Sequence, residues 1–355
     1  MRAFLVGLAL GLAACSEAPP VTATRVLELS GLQPLANAVG LSPDGSLVVT
    51  GDFEADLIAR EVASGTERWK VRVKPRREQR RIDGVFFSPD GSLIVTTGHD
   101  AQTTEVWDAA TGQSVAVLDI GRSRGVAFHP DERVLAVAGG GTIHVVDLSS
   151  GGRVIRTLPN AHPGDAIFAI AFSGDGLTLA TISGEGSLKA WSWPALTLRA
   201  STKLSGLLEA MSPVSLALTR RGTRAAANGI LGRVHVVDIA KGREERVFAN
   251  VAQGPGHGMH AELRYSLAFT DDGDWLFAPD THDRGLRLLH VPSGKTFPVL
   301  QGEGPFYKAV ALAMPASTVA FLRPGSAEGF GPYGIDVLAP HVPSAAALRR
   351  QTSTA

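Results

Sequence analysis

The stretch Val85–Thr96, with the sequence VFFSPDGSLIVT, decides the fold of this chain. Two short apolar runs flank a Pro-Asp-Gly turn, which is typical of two β-strands joined by a tight turn. The same phrase recurs along the chain with decreasing fidelity. The position equivalent to its aspartate, which other residues occupy in the weakest copies, falls at residues 44, 90, 131, 175, 221, 272 and 316. The chain is therefore a series of repeats, each about 45 residues long.

Each repeat carries two more strands after this phrase. In the second repeat they are Glu105–Asp108, which ends four residues before Gly112, and Ser114–Leu118. Apolar runs of this length without a helical period indicate a four-stranded meander. Repeats of about 40–45 residues are typical of propeller blades, which manage their sheet edges by radial repetition. We therefore predict an all-β, seven-bladed β-propeller of four-stranded antiparallel blades.

The last repeat lacks a fourth strand of its own. It has predicted strands at 308–313, 318–322 and 334–339, and two prolines follow them. The stretch Thr24–Leu29 is a spare strand that precedes the first phrase as Ser114–Leu118 precedes the third. We predict that this N-terminal strand completes the last blade and closes the ring.

These repeats resemble the WD-repeat family over residues 25–340. The second repeat is the most faithful copy, because Thr97–Asp100 (TGHD) and Trp107-Asp108 follow its turn. Bacterial seven-bladed relatives of the YVTN type share the same phrase, so both subfamilies remain open. The resemblance implies a structural tetrad in the fourth repeat, formed by a histidine, a hydroxyl, a turn carboxylate and a tryptophan, namely His162, Ser183, Glu185 and Trp191.

The first residues form a targeting segment. Ala3–Leu12 is an apolar run that is too short to span a bilayer and has the length of a secretory core. It ends at Leu12-Ala13-Ala14-Cys15, which resembles the lipobox of bacterial lipoproteins and implies acylation, palmitate included, at Cys15. Several acyl chains give stable membrane anchoring. The alternative is an ordinary signal peptide that contains a cysteine by chance.

This segment also sets the predicted domain organisation. Residues 1–14 are the signal peptide, 15–24 the tether, 25–340 the propeller and 341–355 a C-terminal tail. Ser16 follows the cysteine, whereas an aspartate there would resemble an inner-membrane retention signal. We therefore expect a lipid-anchored protein of the bacterial cell envelope, on the outer membrane and facing the periplasm in a Gram-negative cell.

Composition excludes several functional classes. The 355 residues contain 34 Lys and Arg, 34 Asp and Glu, and one cysteine. Zero net charge argues against general nucleic-acid binding, and a single cysteine excludes a Cys-based metal cage. GxSxG, P-loop, HExxH and CxxC motifs do not occur, so we expect no cofactor. His257 and His260 are weak metal candidates in a glycine-rich connection, and a structural or solvated role is the alternative.

The strongest charge cluster lies in the connection between the first two repeats. A basic patch attracts acidic partners, whereas the alternative is a solvated loop balanced by acids elsewhere. In the last repeat, Phe330 and Tyr333 are candidates for exposed interface anchors or for core side chains. The basic residues that we single out as an interaction surface are Arg76, Arg77, Arg80 and Arg81.

These features favour binding over catalysis. We predict a monomeric scaffold, anchored to the membrane by lipid, that binds a protein or an anionic envelope component. The alternative is an envelope enzyme of the lactonase or quinoprotein type with its site at the central channel. A purely structural envelope protein is a third interpretation, and the fold alone does not decide among them.

Overall fold

The computed structural model describes residues 23–32, 36–73, 81–98, 104–205, 215–228, 231–253, 267–280, 285–300, 309–313, 318–323 and 333–340. Every regular element within these ranges is a β-strand. The first thirteen strands are β1 Ala23–Leu32, β2 Ala36–Leu41, β3 Leu47–Asp52, β4 Asp56–Glu61, β5 Glu67–Arg72, β6 Gly84–Phe87, β7 Leu93–Thr97, β8 Thr104–Asp108, β9 Ser114–Leu118, β10 Ser123–Phe128, β11 Val134–Gly139, β12 Thr142–Asp147 and β13 Arg153–Leu158.

The remaining strands follow in the same regular succession to the end of the described chain. They are β14 Ile167–Phe172, β15 Thr178–Ser183, β16 Ser187–Ser192, β17 Leu198–Lys203, β18 Ser215–Leu218, β19 Arg224–Asn228, β20 Leu231–Asp238, β21 Arg243–Gln253, β22 Ala268–Phe269, β23 Trp275–Asp280, β24 Gly285–His290, β25 Thr296–Leu300, β26 Ala309–Ala313, β27 Thr318–Arg323 and β28 Tyr333–Pro340.

Six sheets are each built from four consecutive strands, and neighbouring strands pair antiparallel. This is the predicted meander, and it confirms the all-β class with four-stranded antiparallel units. We number these sheets in chain order: sheet 1 is β2–β5, sheet 2 is β6–β9, sheet 3 is β10–β13, sheet 4 is β14–β17, sheet 5 is β18–β21 and sheet 6 is β22–β25.

One further sheet, the terminal sheet, combines both ends of the described chain in the order β1-β28-β27-β26. Strand β1 pairs antiparallel with β28, so that Thr24 lies opposite Ala339 and Glu28 opposite Asp336. The predicted addition of the N-terminal strand to the last repeat is confirmed. The strand begins at Ala23 and extends to Leu32, three residues beyond the predicted end.

The core lies between successive sheets. In β7, Leu93 and Val95 pack with side chains of sheet 3, whereas Ile94 between them packs with side chains of sheet 1. Successive side chains of a strand point to opposite faces, so a strand between two sheets must be apolar on both. Apolar clusters of this kind join sheets 1 and 2, 2 and 3, 3 and 4, 4 and 5, and 5 and 6.

The recurring turn is held by its own side chains. The Ser88 hydroxyl donates to the Asp90 carboxylate at 2.6 Å and accepts the Leu93 N–H at 2.9 Å. The same carboxylate accepts the Ser92 N–H at 3.0 Å. Gly91 has a φ of 71°, a conformation that favours glycine. This network explains why the phrase, complete as Ser-Pro-Asp-Gly at 42–45 and 88–91, is recognisable in the sequence.

The fourth strand of sheets 1 to 6 is an outer strand, and in sheets 1 to 4 it is largely exposed. In sheet 3 this strand is exposed over its first five residues, 153–157. In sheets 1 to 5 it carries one extra residue against its partner strand, which is a β-bulge, and a bulge redirects the side chains beside it. The bulged residues are Arg68, Val115, Ile155, Arg199 and Glu245.

The predicted targeting features lie outside the described residues. These are the signal peptide, most of the tether with Cys15, and the tail 341–355. Within the ranges that the structure describes, no helix has the length and apolar character that crossing a membrane requires.

Candidate functional site

Side chains from sheets 1 to 4 converge at one end of the sheets. Because paired strands run antiparallel, the start of each first strand lies at the same end as the turn between the second and third strands. Phe53 lies in the turn between β3 and β4, Asp83 directly precedes β6, and Arg124 and Phe168 are the second residues of β10 and β14. Together with Arg81, we call these residues the arginine–aromatic row.

Arg81 is held between a buried carboxylate and an exposed ring. Its Nε lies 2.5 Å from Oδ1 of Asp83, which is only 1% exposed. The Asn37 amide also donates to Asp83, at 2.9 Å. On its other side the Arg81 guanidinium lies 5.3 Å from the centre of the Phe53 ring, and Phe53 is 37% exposed. This arrangement fixes an arginine and an aromatic side chain at the surface.

Arg124 repeats this combination one sheet further on. Its guanidinium lies 4.4 Å from the centre of the Phe168 ring in sheet 4. Burial lowers the pKa of Arg124, the neighbouring Arg122 lowers it further, and attraction to Asp83 opposes both. An arginine guanidinium nevertheless stays charged in a protein. Asp83 thus lies electrostatically between two arginines, each of which is stacked on a phenylalanine.

The turn that carries Phe53 is held by hydrogen bonds and ion pairs. The Asp52 carboxylate accepts the N–H groups of Glu54 and Asp56 at 2.9 and 2.7 Å, and burial raises the pKa of Asp52. The Asp56 carboxylate pairs with Arg72 at 2.6 Å and with Lys70 at 2.8 Å. The hydrogen bond from Arg72 is the main cause of the lowered pKa of Asp56. Lys70 and Arg72, two cations of β5, are therefore both paired with this acid.

The same turn is joined to both ends of the connection between sheets 1 and 2. The Val73 N–H donates to the Ala55 carbonyl at 2.9 Å, and the Ile82 N–H donates to the Asp52 carbonyl at 3.0 Å. The intervening residues 74–80 lie outside the described ranges. The described ends of the basic connection are thus attached to the turn that presents Phe53.

The structure describes part of the predicted interaction surface. Arg81 belongs to the row, and its charge is paired with Asp83 instead of facing solvent alone. Tyr333 is the first residue of β28, but its side chain is not described. The other members, Arg76, Arg77, Arg80 and Phe330, lie outside the described residues, as do the metal candidates His257 and His260.

Sequence reasoning missed most of the row, although a signal for it exists. Asn37, Asp83, Arg124 and Phe168 each stand two residues before the apolar start of the phrase, at Val39, Val85, Val126 and Ile170. Aligning the repeats on the phrase therefore places all four at one equivalent position. Phe53 carries no such mark, because it lies in the turn between β3 and β4, outside the recurring phrase.

The predicted tetrad in the fourth repeat is wrong in two of its four members. His162 and Trp191 do converge, but on the Thr181 hydroxyl, which lies 2.8 Å from His162 Nε2 and 3.0 Å from Trp191 Nε1. In the register of sheet 4 Thr181 pairs with Lys189 and Leu179 with Trp191, so the indole lies beside Thr181. Sheet 2 has the same hydroxyl–indole pair, since Trp107 donates to Thr96 at 3.0 Å.

Ser183 and Glu185 donate hydrogen bonds to a different carboxylate. Asp165 accepts hydrogen bonds from the Ser183 hydroxyl, the Glu185 N–H and the Ala166 N–H, and these outweigh burial to lower its pKa. The Glu185 side chain is exposed. Asp165, which the sequence reading did not select, is therefore the carboxylate nearest to His162 in this network.

His162 is held in its neutral form. It is 3% exposed, and burial lowers its pKa to about 4, with repulsion from Lys189 as a smaller cause. The Trp191 indole donates to Thr181, which leaves the threonine proton free to be donated to His162 Nε2. These contacts account for a structural role of His162 and do not make it a catalytic group. Among the described residues, no three His, Asp, Glu or Cys side chains are placed to hold a metal ion.

Comparison with known families identifies one of these repeats. The model of the WD40 family (WD domain, G-beta repeat) matches residues 152–192, which comprise the last strand of sheet 3 and the first three strands of sheet 4. This chain contains a WD40 repeat. No curated protein matches the chain. WD40 domains generally mediate protein interactions, so the repeat and the all-β sheets together indicate a scaffold of the β-propeller kind.

Proposed function

We propose that this protein is a seven-bladed β-propeller scaffold that binds a partner protein at the end of the sheets bearing the arginine–aromatic row. The observation that carries this proposal is the exposed Phe53, which lies against the Arg81 guanidinium in a turn held by hydrogen bonds. Aromatic and arginine side chains dominate the energetics of protein interfaces. A side chain that is already ordered loses little entropy when a partner binds.

Contacts of sheet 1 support the closed ring. Its first strand β2 contacts β6 of sheet 2 on one side and β26 and β27 of the terminal sheet on the other. Sheets 1 to 6 follow one another in chain order, each packed on the next. A terminal sheet in contact with sheet 1 is what a ring of seven blades requires, with residues 25–340 as one domain.

We also propose that Cys15 attaches the scaffold to the bacterial cell envelope. The support is the sequence Leu12–Cys15 after an apolar run, together with a tether that reaches β1 at Ala23. In intact cells, Cys15→Ser is expected to move the protein from the membrane to the soluble fraction and to abolish incorporation of an alkyne-labelled fatty acid. A wild-type protein that incorporates no label would contradict the anchor without touching the binding proposal.

The binding face is tested by site-specific photo-crosslinking. The chain offers a matched control, because Leu177 is 60% exposed in the turn between β14 and β15, at the opposite end of the sheets. We expect benzoylphenylalanine at position 53 to give discrete adducts in native envelopes, identified by mass spectrometry, and position 177 to give none of them. Adducts at 177 with none at 53 would place the binding face elsewhere.

A further inference from the structure

The described chain begins at the end of the sheets opposite the arginine–aromatic row. Strand β1 ends at Leu32, and only residues 33–35 separate it from Ala36, where β2 begins at the same end as the row. At the other end of β1, Ala23 pairs with Pro340, the last residue of β28. Ala23 therefore lies at the end of the sheets that carries the turns of the repeated phrase, which we call the turn end.

The proposed tether is too short to bring the row to a membrane. The eight residue steps from Cys15 to Ala23 span at most about 28 Å when the chain is fully extended. Strand β1 has 10 residues and rises about 30 Å along its sheet. A bilayer at the row would require the tether to run back along the whole strand and then reach the lipid beyond it. An anchor at Cys15 therefore draws the turn end toward the bilayer.

Exposed apolar side chains lie at the turn end of sheet 4. Leu177 is 60% exposed in the turn between β14 and β15, and Leu198, the first residue of β17, is 52% exposed. The Trp193 N–H donates to the Leu177 carbonyl at 3.0 Å. The half-buried Trp193 ring lies edge-on to Phe172, with 5.0 Å between the ring centres. An ordered indole thus lies beside two exposed leucines.

Sheet 3 extends this apolar surface. Arg156 on β13 donates to the carbonyls of Pro194 and Ala195 at 2.5 and 2.6 Å, which holds the outer strand of sheet 3 against the turn that follows Trp193. Ile155, which precedes Arg156, is 49% exposed. The side chains that we call the turn-end patch are Ile155, Leu177, Trp193 and Leu198.

Charge at the turn end is mixed and does not decide what binds there. The phrase turns carry acids, and in sheets 1, 2 and 4 a serine of the same turn donates to the acid, as Ser173 donates to Asp175 at 2.6 Å. Arg220 and Arg221 are exposed in the equivalent turn of sheet 5. The apolar side chains favour lipid, because a tryptophan ring with a polar N–H suits the boundary between headgroups and acyl chains.

We propose that the turn end rests on the bilayer, with the turn-end patch among the headgroups and the arginine–aromatic row in the aqueous phase. This inference rests on the proposed anchor at Cys15 and on the proposed ring, in which sheets 3 and 4 lie across from the terminal sheet. The tether and the patch then hold the protein at two separated points, so that the turn end lies flat. A partner therefore meets the row in the aqueous phase, away from the membrane that carries the scaffold.

Energy transfer to labelled lipids tests this orientation. Acylation consumes the thiol of Cys15, the one cysteine of the chain, so Ala110→Cys at the turn end or Glu185→Cys at the row end provides a single site for a maleimide dye. The lipidated full-length proteins are reconstituted in vesicles of phosphatidylethanolamine and phosphatidylglycerol that contain rhodamine-labelled headgroups. We expect at least about twofold more transfer from position 110, because the positions differ in height by about 20 Å, the rise of a six-residue strand.

Paired variants test the contribution of the patch. Ile155→Ser combined with Leu198→Ser is expected to lower the ratio of the two transfer efficiencies toward one, because the turn end loses its second attachment and tilts. The matched control is Val117→Ser combined with Val247→Ser, since these valines are 40% and 39% exposed but lie farther from the turn end, on the outer strands of sheets 2 and 5. Circular dichroism confirms that each variant is folded. An unchanged ratio in the patch variant would overturn the contact of the patch with lipid.

Flotation of the vesicles separates this inference from the anchor. Lipidated protein that does not float with the vesicles would remove the anchor, and this inference with it. Protein that floats but transfers equally from both positions, or more from position 185, would overturn the orientation and leave the anchor intact. The photo-crosslinking at position 53 remains an independent test of the binding face.

Discussion

The indole Nε1 of Trp69, on the outer strand of sheet 1, donates a hydrogen bond to the backbone carbonyl of Ala109 in sheet 2 at 3.0 Å. Trp69 directly follows the bulged residue Arg68, so the bulge directs its side chain toward the next sheet. Arg156 and Arg246 occupy the equivalent positions of sheets 3 and 5. They donate to backbone carbonyls in the last turns of sheets 4 and 6, those of Pro194, Ala195, Val291 and Pro292.

Sheets 2 and 4 have alanine at this position. In sheet 2 the methyl group of Ala116 and the side chain of Leu118 lie against Gly152 in the turn of sheet 3. A side chain at position 152 would collide with both of them. The hydrogen-bonded contacts therefore couple sheets 1 and 2, 3 and 4, and 5 and 6. The junctions of sheets 2 and 3 and of sheets 4 and 5 lack an equivalent donor from this position.

Removing the donor of Trp69 tests the importance of this contact. Trp69→Phe keeps an aromatic ring but leaves the Ala109 carbonyl without the indole N–H, so we expect the free energy of unfolding to fall by about 1 kcal/mol. Trp193→Phe is the control, because that indole is 3.4 Å from the exposed Glu132 carboxylate. Denaturant titrations followed by circular dichroism give both values, and equal losses would contradict a special role for Trp69.

Acid is expected to destabilise sheet 4 through His162. Its pKa is about 4 in the folded chain and about 6.5 when unfolded, so the unfolded state binds more protons between these values. The stability is therefore complete above pH 6.5 and is lost as the pH falls toward 4, by on the order of 2–3 kcal/mol. His162→Asn removes this titration, and the remaining carboxylates are the same in both proteins.

Denaturant unfolding at a series of pH values measures the difference between wild type and His162→Asn. We expect the advantage of the wild type to shrink steadily between pH 6.5 and 4. A difference that stays constant across this interval would show that His162 has the same pKa in both states.

Loss of the N-terminal strand is expected to destabilise the terminal sheet. Without residues 21–30, β28 loses most of its pairing with β1 and the sheet gains a new exposed edge. We expect the melting temperature to fall by more than about 5 °C. In a domain of this size a loss of about 1 kcal/mol lowers the melting temperature by only a few degrees, and we expect the lost strand pairing to cost more than that. A variant without residues 17–20 is the control, because it shortens only the tether, and equal melting of both would contradict the pairing.

The sequence predicts those features of the fold that arise from residues close together in the chain. The repeat phrase is recognisable because Ser88, Asp90 and Gly91 interact within one turn, and the strands because both their faces are apolar. The tetrad was misassigned because Thr181 and Ser183 point to the same face of β15, and only the register with β16 distinguishes them. The row was missed because it forms across sheets, where residues far apart in sequence, such as Asp83 and Arg124, become neighbours.

The bulges have a consequence for contacts between molecules of this protein. An outer strand with a straight backbone offers a template to which another chain can add a strand, and this is a route to aggregation. In sheets 1 to 5 the outer strand departs from a regular ladder at one equivalent point, and arginine or glutamate occupies that point in three of them. The outer strands of sheets 1 to 5 are therefore less regular templates for edge-to-edge association.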